Sequence, residues 1–275
     1  MADRESPAVP PRPPYPEPAV RRFAGSGLRF SLVLIAALLF YAGCLWVAEV
    51  DPQRLMEGLP RLFRWSARAW PPDFSEGTLF LRRAAETVGM ATIGTTLAAV
   101  LAAPWCLLAA RTITPNPVLH YPARWFLNIF RGIDSFVFAL LFVAAVGLGP
   151  FAGVLGIAMH STGSVAKLWA EAIEAMETGP IEAAQLTGAN RLKIVTFVVL
   201  PDVIPSLVSI LLYLWEFNVR ASTVLGIVGA GGIGQELKNS VDLLDFPRLL
   251  AILLIILALV TAIDQLSAWL RRRLT

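Results

Sequence analysis

Residues 182–188 of this chain read Glu-Ala-Ala-Gln-Leu-Thr-Gly, and residues 198–201, after a gap of nine, read Val-Val-Leu-Pro. Pro180 suits the first position of a helix, and Gly188 suits the position just after its end. The spacing therefore predicts a helix of about eight residues, ~12 Å long. Because so short a helix is marginal in water on its own, we expect it to be held by a partner surface.

On both sides of this polar segment the chain is apolar. Of its 275 residues 56% are hydrophobic and 16% are charged, whereas a soluble domain has about 45–50% apolar and about 25% charged residues. Five windows, 30–48, 87–110, 132–166, 203–235 and 249–270, contain only four charged residues: Asp134, Glu216, Arg220 and Asp264. An ionised group at the centre of a bilayer costs at least ~2.5–3.5 kcal/mol, so this segregation indicates a membrane protein.

The windows predict an all-α polytopic membrane protein with six transmembrane helices, because each crossing needs ~20 mostly apolar residues. The helices are expected at about residues 30–50, 86–110, 127–147, 151–170, 203–227 and 247–270. Phe30–Ala48 is too long for the h-region of a signal peptide, ~7–15 residues, and is interpreted as an uncleaved helix.

The remaining segments complete the predicted organisation. Residues 1–27 are rich in proline and are expected to form a disordered cytoplasmic N-terminus, followed by a single transmembrane domain over residues 28–275. Residues 51–83 mix Leu, Phe, Trp and Arg, which is typical of a helix lying on the outer membrane surface. Residues 171–201 form the predicted cytoplasmic loop.

The distribution of Lys and Arg predicts the orientation and excludes other classes. With both termini inside the bacterial cytoplasmic membrane, 14 Lys and Arg residues lie in cytoplasmic segments and 8 lie outside. The net charge of +3 is too low for a nucleic-acid-binding surface. Cys44 and Cys106 lie in separate spans and the chain has only two His residues, so no metal site is predicted.

Residues 229–234, Gly-Ala-Gly-Gly-Ile-Gly, match the GxGxxG pattern of dinucleotide-binding proteins. The apolar run before them extends back to Val203, which is too long for a strand, and no acidic residue follows at the distance of ~20 that ribose binding requires. We interpret this segment as irregular backbone at membrane depth. Such backbone must be buried in protein or line a water-filled cavity.

The pattern of residues 182–201 resembles the EAA signature of bacterial ABC importer permeases, EAA-x3-G-x9-[I/V]-x-LP, and matches it at every signature position. The resemblance implies a type I importer permease fold in which the short helix is the coupling helix that docks into a groove of a cytoplasmic ATPase. The residues expected to couple to the ATPase are Glu182, Ala183, Ala184, Gly188, Ala189 and Pro201.

Residues 84–273 are also similar to the permease of phosphonate ABC transporters (PhnE type), most clearly at 143–155, 217–226, 229–234 and 264–273. The pair Asp134-Ser135 departs from many relatives. The resemblance implies that two permease subunits, expected to be a homodimer, work with two ATPase subunits and a periplasmic or lipid-anchored substrate-binding protein. The chain itself would be no enzyme and would bind no cofactor, since ATP and Mg²⁺ belong to the ATPase.

The implied function is import of phosphonate or a related phosphorus oxyanion, such as phosphite, hypophosphite or a phosphate ester. A permease for another small solute, such as an amino acid or glycine betaine, is the alternative, because the EAA segment recognises the ATPase rather than the substrate. A channel or a membrane-embedded enzyme is a third class. The four intramembrane charges do not form a set of nucleophile, base and metal ligands.

Residues for a translocation path follow from the polar positions within the spans: Arg220, Glu216, Asn218, His160 and Ser161. Glu216 and Arg220 share a helical face, so they either line the path or form a self-neutralised pair between helices. His160 could donate to an oxyanion or bond to a neighbouring carbonyl. Asp134 is expected to pair with a residue such as Arg131, and Asp264 to be interfacial. The predicted outer gate consists of Gly229, Gly231, Gly232 and Gly234, whose freedom in φ and ψ suits a moving segment.

Overall fold

The computed structural model describes residues 27–114, 116–177 and 179–274, and every regular element in these ranges is helical. The α-helices are α1 (Gly27–Val47), α2 (Pro52–Arg68), α3 (Gly77–Ala109), α4 (Pro117–Gly132), α5 (Ser135–Val146), α6 (Pro150–Glu174), α7 (Gly179–Leu186), α8 (Arg191–Ile194), α9 (Leu200–Leu225), α10 (Ile233–Asp242) and α11 (Phe246–Leu274). A π-helical turn, Val195–Val199, precedes α9, and a 3₁₀ turn, Gly226–Val228, follows it. The predicted disordered N-terminus lies outside the described residues, except for Gly27.

Four helical segments in the described ranges are long and apolar enough to cross a membrane: Phe30–Val47, Gly77–Ala109, Arg191–Val228 and Phe246–Arg273. They correspond to four of the six predicted spans. The helix pair α4 and α5 passes the same test as one bent span, which raises the number to five.

The predicted span over 127–147 is not one continuous helix. The chain bends by 83° between α4 and α5. Asp134 causes the second helix to begin there, because its Oδ1 accepts a hydrogen bond from the Phe136 amide at 2.8 Å, as an N-cap residue does. Asp134 therefore caps α5, in contrast to the predicted pairing with a residue such as Arg131.

Helix α6 lies at the centre of the larger part of the fold, packed against α3, α4, α5 and α9. Small residues bring its neighbours close: a Cβ atom on Gly94 of α3 would lie 2.8 Å from the Ile157 side chain, and one on Gly156 would lie 2.8 Å from the Ala139 backbone. Gly94, Ala98 and Ala102 form a ridge of small residues along α3, and this ridge is buried, since Ala98 and Ala102 have no exposed surface.

The chain divides into two compact units, residues 1–61 and 62–275. The single transmembrane domain over 28–275 stays a prediction. The predicted surface segment, 51–83, contains α2, which has no buried residue, but α3 already begins at Gly77. Within the second unit, Trp65 stacks on Phe246 with ring centroids 5.5 Å apart.

In the turn before α3, the Ser75 amide donates a hydrogen bond to the Asp73 carboxylate. This bond lowers the pKa of the Asp73 carboxyl.

Candidate functional site

Helix α7, Gly179–Leu186, contains most of the segment that resembles the EAA signature and is the short helix expected before Gly188. Gly188 ends the helix in a left-handed conformation, φ +77°. Its amide donates to Gln185 O at 2.9 Å, and the Ala189 amide donates to Ala184 O at 3.3 Å. This pair of bonds is a Schellman motif, which requires a residue that tolerates positive φ.

Helix α7 has one packed face and one exposed face. Ile181 and Ala184 pack against the main apolar core. Glu182, Ala183 and Leu186 are exposed, and Leu186 is 90% exposed. A leucine so exposed at the end of a short helix offers an apolar contact for a partner.

The second half of the segment contains a π-helical turn, Val195–Val199, which was not predicted. The Leu200 amide donates to Val195 O, five residues back instead of four. Pro201, one residue later, has no amide hydrogen, and its ring excludes the carbonyl of Phe197 from the usual α-helical position. The proline of the motif thus explains the widened turn between α7 and α9. Single π-helical turns occur often at functional sites.

Three of the four intramembrane charges, Glu216, Arg220 and Asp264, lie together on α9 and α11. Arg220 Nη2 donates to Glu216 Oε1 at 3.1 Å, which confirms that the two share a helical face. Arg271 Nη2 lies 3.3 Å from the other Glu216 oxygen, and Arg220 Nη1 lies 3.6 Å from Asp264 Oδ1. The cluster contains two cations and two carboxylates. Asp264, expected to be interfacial, is therefore a partner of Arg220.

Asn218 and Ser161, two of the predicted path residues, are buried inside the chain, with 0% and 1% of their surfaces exposed. Asn218 Nδ2 donates to Thr95 Oγ1 at 2.8 Å and to Ser161 Oγ at 2.9 Å. These bonds join α3, α6 and α9. Because both side chains use their polar atoms on one another, the geometry favours a packing role over a lining role.

His160 lies beside the break between α4 and α5. Its Nδ1 is 2.8 Å from Ile133 O, and because a carbonyl only accepts, this nitrogen is the donor. The bond satisfies a carbonyl at the end of α4 that has no partner within that helix. His160 was expected either to donate to an oxyanion or to bond to a neighbouring carbonyl. In the structure it bonds to the carbonyl of Ile133.

The predicted gate is a tight turn between the 3₁₀ turn and α10. Gly229, Gly231 and Gly232 have φ values of +88°, +78° and +72°. A Cβ atom on Gly232 would lie 2.5 Å from Thr87 Oγ1, and the same hydroxyl accepts a hydrogen bond from the Ile233 amide at 2.9 Å. Gly234 is helical and abuts the Thr223 carbonyl. The turn is buried in protein, one of the two environments predicted for it.

An ionic cluster next to this turn was not predicted. Glu236 of α10 is 5% exposed, and its carboxylate lies 3.3 Å from Arg83 Nε and 2.9 Å from Arg248 Nη2. Arg248 also lies 2.8 Å from Glu76. The cluster ties α10 to the N-terminal parts of α3 and α11. The period of Ile233, Glu236 and Ser240 along α10 is the signal that places Glu236 on the buried face.

Comparison with known proteins identifies the class. Residues 85–275 match the family described as binding-protein-dependent transport system inner membrane component. The chain is 48% identical to the putative phosphite transport system permease protein HtxC of Stutzerimonas stutzeri, over 91% of this chain and 86% of the relative. It is 39% identical to the phosphite transport system permease protein PtxC of the same organism, over 92% of this chain and 89% of the relative.

The fold is similar to that of the MetNI methionine ABC transporter in an inward-facing conformation. The TM-score is 0.64 at 24% identity, over 74% of this chain and 99% of that chain. This similarity confirms the expected all-α fold of an ABC importer permease.

These relatives are transport subunits, so the expectation that the chain is not itself an enzyme is confirmed. Membership implies a multi-pass protein of the inner membrane that works with an ATPase and a substrate-binding protein. The chain belongs to the inner-membrane components of binding-protein-dependent transport systems, the permease subunits of ABC importers.

Proposed function

We propose that this permease carries phosphite, phosphonate or a related phosphorus oxyanion from a periplasmic or lipid-anchored binding protein into the cytoplasm. The similarity to two phosphite permeases over about nine tenths of the chain supports this substrate class. A further relative, 42% identical over 75% of this chain, is the phosphate-import permease protein PhnE of Mycolicibacterium smegmatis; the match covers 39% of that protein.

The observation that carries the proposal within this chain is Arg220. Its side chain is 44% exposed on a helix long enough to span the membrane, while its partner Glu216 is 12% exposed. A guanidinium presents a planar fork of donors that matches two oxygens of a phosphorus oxyanion. Intramembrane cations are rare and by default functional, which supports a place on the translocation path.

The exposed face of α9 continues on both sides of Arg220. It comprises Tyr213, Phe217 and Val224 and is extended by Ile227 of the 3₁₀ turn that follows, all at least 39% exposed. We propose that this face meets a second permease subunit, so that two copies enclose one path. A homodimer is the simplest assembly. A heterodimer with a second permease is the alternative, favoured by the two Stutzerimonas stutzeri relatives HtxC and HtxE, which are 48% and 38% identical to this chain.

The number of crossings proposed is six, with both termini cytoplasmic: α1, α3, the bent pair α4–α5, α6, α9 and α11. Helix α6 has 25 residues, ~37 Å, which is long enough to cross. Residues 160–164 of α6 include His160, Ser161, Thr162 and Ser164, so the helix lacks the continuous apolar surface of a lipid-facing span. Because α6 is enclosed by other helices, its polar side chains need not face lipid.

For energy coupling, α7 is proposed to dock into the cytoplasmic ATPase through Glu182, Ala183 and Leu186. The ATPase, not this chain, binds ATP and Mg²⁺. Movement of α7 would reach α9 through the π-helical turn, and the glycine turn at 229–232 would act as the outer gate. The exposed face of α7 and its glycine-dependent end support this role.

Competition for uptake tests the substrate class. Cells that express the complete transporter would take up labelled phosphite, and unlabelled methylphosphonate, phosphate, methionine and glycine betaine would be added in excess. We expect competition by one or more phosphorus oxyanions and none by methionine or glycine betaine. Competition by either of the latter would favour the alternative importer class.

A further inference from the structure

Arg220 has two carboxylate partners that hold it unequally. Glu216 precedes it by one turn of the same helix and accepts a hydrogen bond at 3.1 Å. Asp264, on α11, lies 3.6 Å from Nη1, beyond the usual N–H···O range of 2.7–3.2 Å. The Asp264 Oδ1 atom is buried and accepts no hydrogen bond from any part of the chain that the structure describes.

The two carboxylates also differ in what else depends on them. Glu216 lies 3.3 Å from Arg271 through its second oxygen, so moving it would disturb a second ion pair. The one ion pair found for Asp264 within the described ranges is that with Arg220. Glu216 is therefore the fixed partner of Arg220, and Asp264 is the partner that can be exchanged.

An importer must bind its substrate in the path weakly enough to release it. If the guanidinium of Arg220 had only one carboxylate partner, its remaining N–H donors would be free to bind any oxyanion in the path. A second carboxylate competes for the same donors and must be displaced when the oxyanion binds. The incoming anion takes the place of the Asp264 carboxylate, so Arg220 keeps a negatively charged partner throughout.

We propose that Asp264 is the exchangeable counter-ion of Arg220, which the transported phosphorus oxyanion displaces and which returns to expel it. Asp264 acts through Arg220 and is a positioning residue. The inference rests on the proposed function of Arg220 in the path. It adds a residue of α11 to the determinants of anion affinity and turnover.

The test compares Asp264→Asn, Asp264→Glu and Arg220→Gln with the wild type and with Asp242→Asn. Asp242 lies on α10, and its exposed carboxylate pairs with Lys238, so this control removes one carboxylate elsewhere. Binding of phosphite and methylphosphonate to the purified permease–ATPase complex, without binding protein, is followed by ³¹P NMR titration. Turnover is measured as uptake into proteoliposomes with saturating binding protein.

For Asp264→Asn we expect the Kd of the oxyanion to fall about fivefold, the scale of losing one partly exposed ion pair, and turnover to fall as well. Asp264→Glu and Asp242→Asn should behave as the wild type. A purely structural role of Asp264 would weaken binding and turnover together, and this result overturns the inference. If Asp264→Asn does not assemble, Asp264→Ser serves in its place with the same expected change in Kd.

Arg220→Gln separates this inference from the proposed function. If that variant binds and transports as the wild type does, the role of Arg220 in the path is wrong, and the counter-ion role falls with it. If Arg220→Gln loses binding and Asp264→Asn keeps the wild-type Kd, only the counter-ion role is wrong.

Discussion

The Gly149 amide donates a hydrogen bond to the Gly229 carbonyl at 2.9 Å. This bond joins the turn between α5 and α6 to the turn between the 3₁₀ segment and α10. Both glycines have positive φ, +141° and +88°. Two turns that lie far apart in the sequence are thus held together by backbone atoms. An added Cβ on Gly229 would collide with the Leu148 side chain, whereas one on Gly149 would meet nothing within 4 Å, so at Gly149 only the positive φ favours glycine.

Gly231→Val tests the gate. The φ of +78° is strained for a β-branched residue, and its Cβ would lie 3.0 Å from the Pro150 ring. A strained backbone costs on the order of 1–3 kcal/mol. We expect uptake to fall at least about tenfold while the complex with the ATPase still forms, measured by transport assay and co-purification.

Gly89→Ala is the control for the gate variant, because no atom lies within 4 Å of its added Cβ and its φ is not positive. Normal uptake by Gly231→Val would contradict a gate at this turn.

Gly188→Asp tests the end of α7. Nothing lies within 4 Å of an added Cβ there, so the variant acts through the φ of +77° and through a negative charge at the C-terminal end of the helix. We expect the Schellman motif to weaken, the helix end to shift and ATP hydrolysis to become uncoupled from uptake. Gly179→Ala, in equally open space without positive φ, is the matched control. Glu182→Lys, on the exposed face, should uncouple in the same way, and unchanged coupling in both variants would argue against docking by α7.

Pro201→Ala tests the π-helical turn. An amide hydrogen at residue 201 restores a donor for the Phe197 carbonyl, so we expect the turn to tighten to α-helical geometry. Amide hydrogen exchange at 195–201 should slow, and uptake per ATP hydrolysed should fall several-fold. If amide exchange slows but uptake per ATP hydrolysed does not change, the π-helical turn does not transmit movement from α7 to α9.

Asn218→Leu tests whether the buried polar group packs helices or lines a path. Removing it leaves Thr95 and Ser161 without their partner, at a cost of about 1–3 kcal/mol. We expect a lower melting temperature of the purified complex with unchanged preference among oxyanions. A changed preference at unchanged melting temperature would place Asn218 on the path after all.

The sequence predicted the features that depend on composition and local chemistry. Four apolar spans and the short helix before Gly188 follow from hydropathy and from the need for positive φ. The bend at Asp134 was missed, because a carboxylate inside an apolar window looks like a charge seeking a partner rather than a helix cap.

The pairings between distant elements could not be predicted. Asp264 meets Arg220, and Glu236 meets Arg83, only because α9, α10 and α11 pack as they do. Asn218 was predicted to line the path, because a polar residue in a transmembrane span is consistent both with a functional role and with helix packing. Asn218 is buried because α3 and α6 pack against it, and the local sequence of α9 carries no information about that packing.

We propose that this permease imports a phosphorus oxyanion through a path that uses Arg220. Its most direct test is ATP-dependent uptake of labelled phosphite and methylphosphonate by proteoliposomes that contain the permease, its ATPase and its binding protein. We expect uptake of at least one of them by the wild type and its loss in Arg220→Gln, with the complex intact. Equal uptake by Arg220→Gln, or wild-type uptake of methionine or glycine betaine alone, would contradict it.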